Sequence, residues 1–301
     1  MARDHYIPQL ILDRFVQLEK GRNLNVLDKV SGRLFHPAVK DFGVKDLHTL
    51  SSGMRESFEA DELPDIELTI GNHFESPAAP LLERVVESSS LEWLTAAQRQ
   101  EIIQFVALQW VRVPGRLFNF RSAIAKEFDG DEPARNLRVL GTPNLPDPVR
   151  DLALMGIPLD AVGLAGVLGR AHLALALAPD NIAAIGDNPV VVHSYQGVPK
   201  NLFPTFLVSA PGIDAFLPIS PKHILYLHTA ENAVTGTVGK TLSSPLHLSL
   251  KAINYLNGLQ GKAAVRYIVL PRQEQMAQIA ADMASEEEPS FDFKCAFFPS
   301  T

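Results

Sequence analysis

The chain has 301 residues, of which 46% are hydrophobic and 20% charged, with a formal net charge of −7 at pH 7. This length allows one large domain or two small ones, and the negative charge argues against a broad nucleic-acid-binding surface, whose affinity depends on neutralising phosphates. The single cysteine, Cys295, excludes an internal disulfide and a thiolate zinc cluster. Because the sequence has neither a membrane-length apolar run nor a hydrophobic signal core, it predicts a soluble, cytoplasmic protein without membrane contact.

The first half of the chain has mainly helical patterns. Apolar residues recur at helical spacing over residues 7–18, 80–86, 96–113 and 159–178. Thr95 fits the N-cap position of the third of these helices, although the glutamate that completes a capping box is absent three positions later. Between the first two helices, alternating runs on both sides of Ser31-Gly32 predict a β-hairpin.

The second half of the chain has mainly strand-like patterns. Short apolar runs separated by Gly, Pro and Asn predict strands over residues 182–185, 190–193, 202–208, 224–228 and 266–270, with one helix over 246–256. Because strands and helices occur in blocks, we expect an α+β fold. Its helical first half, with the N-terminal β-hairpin, packs on a mostly antiparallel sheet. We expect a single domain over residues 1–282 and an acidic, aromatic tail over 283–301 that docks on the body or on a protein partner.

The motifs for phosphate loops and metal sites are absent or incomplete. Residues 234–241 have a Gly/Thr-rich composition, but Val234 stands where a phosphate-binding loop needs its first glycine. His223 and His228 are five residues apart, which places them on opposite faces of a strand, so they cannot chelate one ion together. We therefore predict no metal site and no cofactor.

The helix predicted over residues 96–113 carries polar side chains on one face. Gln109 and Arg112 fall on roughly the same side as Glu101. An unpaired buried charge is costly, so the guanidinium of Arg112 needs partners. Either Arg112 forms an internal ion pair with Glu101 or a loop carboxylate, or its planar donor fork holds an anionic ligand.

Two further polar segments stand beside predicted elements. Asp187-Asn188 directly follow a strand and precede Pro189. They form either a turn that caps its own backbone or a carboxylate and an amide at a strand end, where catalytic groups are common. His5 either begins the first helix or acts as a general base with a neutral imidazole near pH 7.

Several short segments occur in a distinctive order along residues 5–270. They are His5-Tyr6-Ile7-Pro8-Gln9, Asp28-Lys29-x-Ser31-Gly32, Gln109-x-x-Arg112-x-Pro114, Asp187-Asn188-Pro189-Val190, Leu217-Pro218-Ile219-Ser220-Pro221, and Asn254 before Arg266. Together they resemble the bacterial family known as domain of unknown function 4238. The resemblance implies no activity, but it implies that six of these residues occupy recurring polar positions: His5, Gln109, Arg112, Asp187, Asn188 and Asn254. The chain departs from the family at His48, where an aromatic residue, usually Tyr, is more common.

These features lead to one hypothesis for a site, with two interpretations of it. We expect the polar residues to converge in a pocket, because polar groups on apolar elements need partners. The catalytic candidates are His5 as base, Arg112 as charge stabiliser and Asp187 as orienting group, and the substrate-binding candidates are Gln109, Asn188 and Asn254. The pocket would bind an anionic or nucleotide-like ligand, as in a metal-independent nuclease or phosphoester hydrolase. The alternative is a non-catalytic binding or interaction module, in which the same residues form a structural hydrogen-bond network.

Overall fold

The computed structural model describes seven parts of the chain, namely residues 6–16, 23–42, 49–51, 65–113, 148–194, 213–229 and 239–284. Three features predicted above lie outside these residues: His5, the strand over 202–208, and the tail from residue 285 onward. The division into a domain and a tail therefore stays a prediction. Within the described residues, no helix is both long and apolar enough to cross a membrane.

The first half consists of one hairpin and several helices. The hairpin strands are β1 and β2, and the helical elements are α1, α2, α3, α4, α5 and α6. Their bounds are Gln9–Leu12 for α1, Asn25–Asp28 for β1, Arg33–Phe35 for β2, Ile66–Ile70 for α2, Ser76–Ser88 for α3, Ala96–Val111 for α4, Pro148–Met155 for α5 and Ile157–Leu168 for α6, with a 3₁₀ turn over Val39–Asp41. The predicted hairpin is confirmed, whereas the first helix is only one turn long.

The second half contains most of the strands. They are His172–Leu177 (β3), Ile185–Gly186 (β4), Val191–Ser194 (β5), Ile213–Pro218 (β6), His223–His228 (β7), Leu246–His247 (β8) and Tyr267–Leu270 (β9). Two helices, Leu250–Ala263 (α7) and Gln275–Ala284 (α8), flank β9, and a 3₁₀ turn spans Pro179–Asn181. The fold is therefore α+β, as predicted.

The strands form two sheets. One has the order β2-β1-β9-β4 and is entirely antiparallel, so the N-terminal hairpin joins strands from the C-terminal half. The other has the order β5-β6-β7-β3-β8 and is antiparallel except between β3 and β8. The expected mostly antiparallel arrangement is confirmed, but it is divided between two sheets.

Both sheets lie between two helical layers. On one side, the two sheets pack against α3, α4 and α6 and form a large hydrophobic core with them. Leu82, Phe105 and Leu164 belong to this core. On the other side, α7 covers the five-stranded sheet through residues such as Ile253, and α8 packs near β9 through Ile279. Polar groups on the fully buried strands β6 and β7 are thus enclosed by helices, and their partners must come from the protein or from a ligand.

Helix α4 begins with a complete capping box. The Thr95 hydroxyl accepts a hydrogen bond from the Gln98 backbone N–H, and the Gln98 side chain accepts one from the Thr95 N–H. Gln98 therefore takes the place of the absent glutamate, because its side chain has an acceptor oxygen at the same distance from the backbone. This cap fixes the start of the helix that carries Gln109 and Arg112.

The helix predicted over residues 159–178 is wrong in its second half. Helix α6 ends at Leu168, and the following Ala/Leu run forms β3, the strand between β7 and β8. The run His172–Leu177 is apolar at every position except the first because both faces of this strand are covered. Periodicity alone does not distinguish such a doubly buried strand from a buried helix.

A π-helical turn, Gly71–Glu75, links α2 to α3. It immediately precedes a segment with two prolines, Pro77 and Pro80, whose missing N–H groups remove two helical hydrogen bonds. The wide turn places Glu75 opposite the end of α4, where Arg112 lies. A local irregularity of one helix thereby supplies the partner of a charge on another.

Candidate functional site

Asp187 anchors the end of β4 to the start of β9. Its two carboxylate oxygens accept hydrogen bonds from three consecutive backbone N–H groups, those of Val265 at 2.7 Å, Arg266 at 2.8 Å and Tyr267 at 3.0 Å. The side chain is 3% exposed, and burial raises its pKa while the backbone hydrogen bonds oppose that shift. These contacts fit the backbone-capping interpretation of Asp187.

A polar ladder on α7 holds the segment before and after β4. Asn257 accepts a bond from the Ala184 N–H and donates one to the Ile182 carbonyl. One turn later, Gln260 pairs in the same way with Gly186 and Pro189. Each carboxamide thus satisfies one buried donor and one buried acceptor of an irregular backbone.

The predicted binding residues Asn188 and Asn254 lie next to this ladder. The Asn188 amide nitrogen donates to the carbonyl of Ala263, the last residue of α7, at 2.6 Å. The Asn188 Oδ1 is buried and has no hydrogen-bond partner among the described residues. Asn254 lies on α7 three residues before Asn257 and is partly buried. Asn254, Asn257 and Gln260 follow one another at intervals of three residues and form one polar face of α7. Of these three residues, the family resemblance indicated only Asn254.

Tyr6 brings the N-terminal segment to Asp187. Burial, and then the nearby Asp187 carboxylate, raise the pKa of the Tyr6 phenol to about 12. Lys29 approaches from the hairpin, donates to the carbonyls of Lys262 and Ala264, and has its pKa lowered by burial. His5, the predicted base, precedes Tyr6 but is not among the described residues.

Arg112 pairs with Glu75 at the end of α4. Its Nη1 donates to Glu75 Oε1 at 2.6 Å, and the side chains are 3% and 25% exposed. Gln109, one turn earlier, is fully buried, and neither atom of its carboxamide has a hydrogen-bond partner. A buried polar group left unpaired lowers the free energy of unfolding by about 1–3 kcal/mol, so the carboxamide of Gln109 destabilises the fold at this position.

The predicted site residues therefore belong to two groups. Gln109 and Arg112 share the end of α4 with Glu75, whereas Asp187 and Asn188 bond to the backbone between α7 and β9. The ion pair, which was one of the two alternatives for Arg112, is present, but the carboxylate comes from the π-helical turn and not from Glu101 or a loop. Convergence of His5 with Asp187 stays a prediction, with Tyr6 as the nearest described residue.

A second constellation, which was not predicted from the sequence, crosses the five-stranded sheet. His193 on β5 is the register partner of Asp214 on β6, Asp214 is that of His228 on β7, and His228 is that of His172 on β3. Register partners point to the same face of a sheet. We call His193, Asp214, His228 and His172 the histidine row. It lies on the face that α7 covers.

Asp214 is the centre of the histidine row. Its Oδ1 lies 2.7 Å from both the Tyr226 hydroxyl and His228 Nδ1. Because an ionised carboxylate only accepts, both neighbours donate to it. Asp214 is 0% and His228 1% exposed. The pair fixes the imidazole in the tautomer with hydrogen on Nδ1 and directs Nε2 away from the carboxylate.

The two ends of the row contact other elements. His193 Nδ1 is 2.7 Å from the Tyr255 hydroxyl on α7. His172 stacks on His228 with ring centroids 6.3 Å apart, and its Nδ1 accepts the Lys240 backbone N–H at 2.9 Å. Burial, followed by the electrostatic effects of His228, Lys240 and Arg99, lowers the pKa of His172. His172 is therefore neutral at pH 7, with its proton on Nε2.

The positive charge near His172 is held in place by the backbone. The Arg99 guanidinium donates to the carbonyls of Gly169 at 3.2 Å and Ala171 at 2.5 Å, immediately before β3. A guanidinium remains charged in proteins, so this end of the row has a fixed positive potential. Among the described residues, no group of three His, Cys, Asp or Glu side chains is arranged to hold a metal ion.

His223 occupies the opposite face and forms a separate centre. Ser220 Oγ is 2.8 Å from His223 Nδ1, and Ser89 Oγ is 2.9 Å from Nε2. Ser220 Oγ already accepts the N–H groups of Lys222 and His223, so its own hydrogen goes to Nδ1. His223 Nε2 then carries the proton and donates to Ser89, which means that this histidine does not activate Ser89 as a nucleophile.

The sequence offered one sign of the histidine row, namely ionisable residues inside apolar strands. Asp214 and His228 interrupt two runs of buried hydrophobic residues, and such groups need partners. Which residues are partners depends on strand order and register, which pair His172 with His228, 56 positions away. The separation of His223 and His228 onto opposite faces, in contrast, was predicted and is confirmed.

Comparison with known proteins gives a family without a named activity. The family model described as a protein of unknown function, DUF4238, matches residues 3–273. This match confirms the resemblance seen in the ordered segments. No curated protein and no solved structure matches the chain.

Proposed function

The chain belongs to the DUF4238 family of proteins of unknown function, and from its own side chains we propose a metal-independent phosphoester hydrolase, with nucleic acid or a smaller phosphodiester as substrate. The observation that carries this proposal is the Asp214–His228 pair beside the neutral imidazole of His172. A carboxylate at Nδ1 orients an imidazole and stabilises its protonated form, which makes Nε2 a general base. In this proposal the reaction centre is the histidine row, a different place from the one predicted by sequence.

The groups that act in the proposed reaction are water and the histidine row, with Arg99 beside the row. His228 Nε2 takes a proton from water, the water oxygen forms the new P–O bond, and the ester P–O bond breaks. The imidazolium then returns the proton to the leaving oxygen. The Nε2–H of His172 donates to a phosphoryl oxygen, and the Arg99 guanidinium favours an anionic substrate. We keep a cytoplasmic location as part of the proposal, and cell fractionation tests it.

The proposal is tested by hydrolysis in the presence of EDTA. The probes are bis(4-nitrophenyl) phosphate and a single-stranded RNA oligomer. We expect His228→Gln to lower kcat by a factor of about 10²–10⁴, the usual contribution of a general base. His247→Gln is the matched control, because His247 is exposed on β8, and we expect it to retain full activity. Equal rates for wild type and His228→Gln would refute the role of His228.

The burial of Asp214, Tyr226 and His228 favours a second candidate, a binding module in which the row is a structural network. All three residues are at most 1% exposed. In that case wild-type protein cleaves neither probe, and His228→Gln lowers the melting temperature instead. Measuring both quantities on the same variants distinguishes the two functions.

A further inference from the structure

Gln109 is a fully buried side chain whose donor and acceptor both lack a hydrogen-bond partner in the part of the chain that the structure describes. In that part, Asn25 on β1 is the one other buried carboxamide with both atoms unpaired, but it does not lie one helical turn from an ion pair that reaches solvent. Elsewhere in the chain, the buried carboxamides of Asn257 and Gln260 each bond to two backbone groups. Unpaired buried groups are uncommon in native proteins and lower stability, so each one needs a physical reason, such as a functional role.

An ion pair that reaches solvent lies one helical turn after Gln109. Arg112 follows one turn later on the same helix face, and it bonds to Glu75, whose side chain is a quarter exposed. Exposure thus rises from Gln109 through Arg112 to Glu75. Glu75 itself ends a π-helical turn, a type of irregularity that is frequent at functional sites.

We propose that Gln109, with the Arg112–Glu75 pair at its entrance, is the recognition residue of a binding site for a planar ligand that has a hydrogen-bond donor next to an acceptor. The Gln109 oxygen accepts from the ligand donor, and its NH₂ group donates to the ligand acceptor. Such a pair of bonds is formed by a purine edge, as glutamine does with adenine, and by a primary carboxamide. The site does not involve the histidine row, so it holds whether or not the row is catalytic.

The experiment uses adenosine and nicotinamide as probes of the two ligand types, with nicotinate as a probe that lacks the amide donor. We expect one of the first two to bind wild-type protein by calorimetry and to shift the side-chain NH₂ resonance of Gln109. We expect nicotinate to bind at least about tenfold more weakly, because it leaves the Gln109 oxygen unpaired. If neither adenosine nor nicotinamide binds, the proposal is refuted.

A matched pair of variants tests the same site in the ligand-free protein. Gln109→Met removes an unpaired amide at similar volume, so we expect the melting temperature to rise by about 2 °C or more while binding falls at least tenfold. Gln104→Met makes the same change at a partly exposed position of α4 and should alter neither quantity. A lower melting temperature for Gln109→Met would show that the amide is paired inside the protein, which overturns the proposal.

Discussion

At the scale of single residues, a side chain's role depends on how its hydrogen bonds are used. Asp187 directs both carboxylate oxygens to three backbone N–H groups, whereas Asp214 receives two side-chain donors. The first arrangement fixes the backbone, and the second fixes the tautomer of an imidazole. The two buried aspartates therefore have different roles: Asp187 holds a backbone segment, whereas Asp214 orients a histidine side chain.

The Arg112–Glu75 pair leads to a prediction about stability. We expect Arg112→Met and Glu75→Gln each to lower the free energy of unfolding, with a coupling energy of about 1–3 kcal/mol between them, because each removes the charge that compensates a largely buried partner. Chemical denaturation of both single variants and the double variant measures the coupling. Strictly additive effects would mean that the 2.6 Å contact does not stabilise the fold.

At the scale of elements, α7 is the helix that organises the second half of the chain. Its polar face holds the backbone around β4, while its apolar face covers the sheet that carries the histidine row. Gly261 allows α8 to approach closely, since a Cβ there would lie 2.5 Å from the Met283 side chain. Helix α7 thereby connects both sheets to α8.

This role predicts unequal effects for two asparagines on the same helix. Asn257→Leu leaves the Ala184 N–H unpaired, while the Ile182 carbonyl keeps its second donor, Gln275 Nε2, at 2.8 Å. The substitution should therefore cost about 1–3 kcal/mol. Asn254→Leu makes the same change three residues earlier at a partly exposed position and should cost less than about 1 kcal/mol. Urea denaturation compares them, and similar losses for the two variants would contradict the proposed function of the ladder.

At the scale of the whole molecule, His223 links the helical layer to the five-stranded sheet. It bonds to Ser89, just after α3, and to Ser220 in the turn between β6 and β7. Ser89 adopts a left-handed backbone conformation with φ 50°, which is unusual for a residue other than glycine. The contact with His223 holds this helix end against the sheet.

The titration of His223 predicts how stability depends on pH. Burial, followed by Lys222 and Arg14, lowers its pKa to about 4 from the ordinary 6.5. The unfolded chain therefore binds more protons between these values, so the stabilisation is present above pH 6.5 and is lost as pH falls towards 4. Its full size is up to roughly 3 kcal/mol.

Unfolding measured from pH 4 to 7 checks this expectation. His223→Gln should reduce the slope of stability against pH in that window, whereas His247→Gln, at an exposed position, should leave it unchanged. His172, whose pKa is also lowered, contributes in the same direction, so part of the slope will remain. An unaltered slope in His223→Gln would assign the pH dependence to other groups.

Local chemistry was enough to predict the hairpin, the capped helix α4, the strands β7 and β9, and the α+β class. These features depend on turn residues, on an N-cap and on alternation over a few positions. The sequence also indicated that Arg112 needs a partner and that His223 and His228 lie on opposite faces, because burial cost and strand period are local properties. The order of its polar segments further identified the family.

Only the tertiary structure decided which distant residues meet. The Ala/Leu run after α6 is a strand because it pairs with β7 and β8 in a sheet whose two faces are covered by helices. The partner of Arg112 is Glu75, which lies in a π-helical turn of another part of the chain. The histidine row depends on the order and register of four strands. The sequence spacing of its four residues indicates neither the order nor the register. Strand pairing is determined by the free energy of the whole packed core, so sequence patterns alone did not assign these contacts.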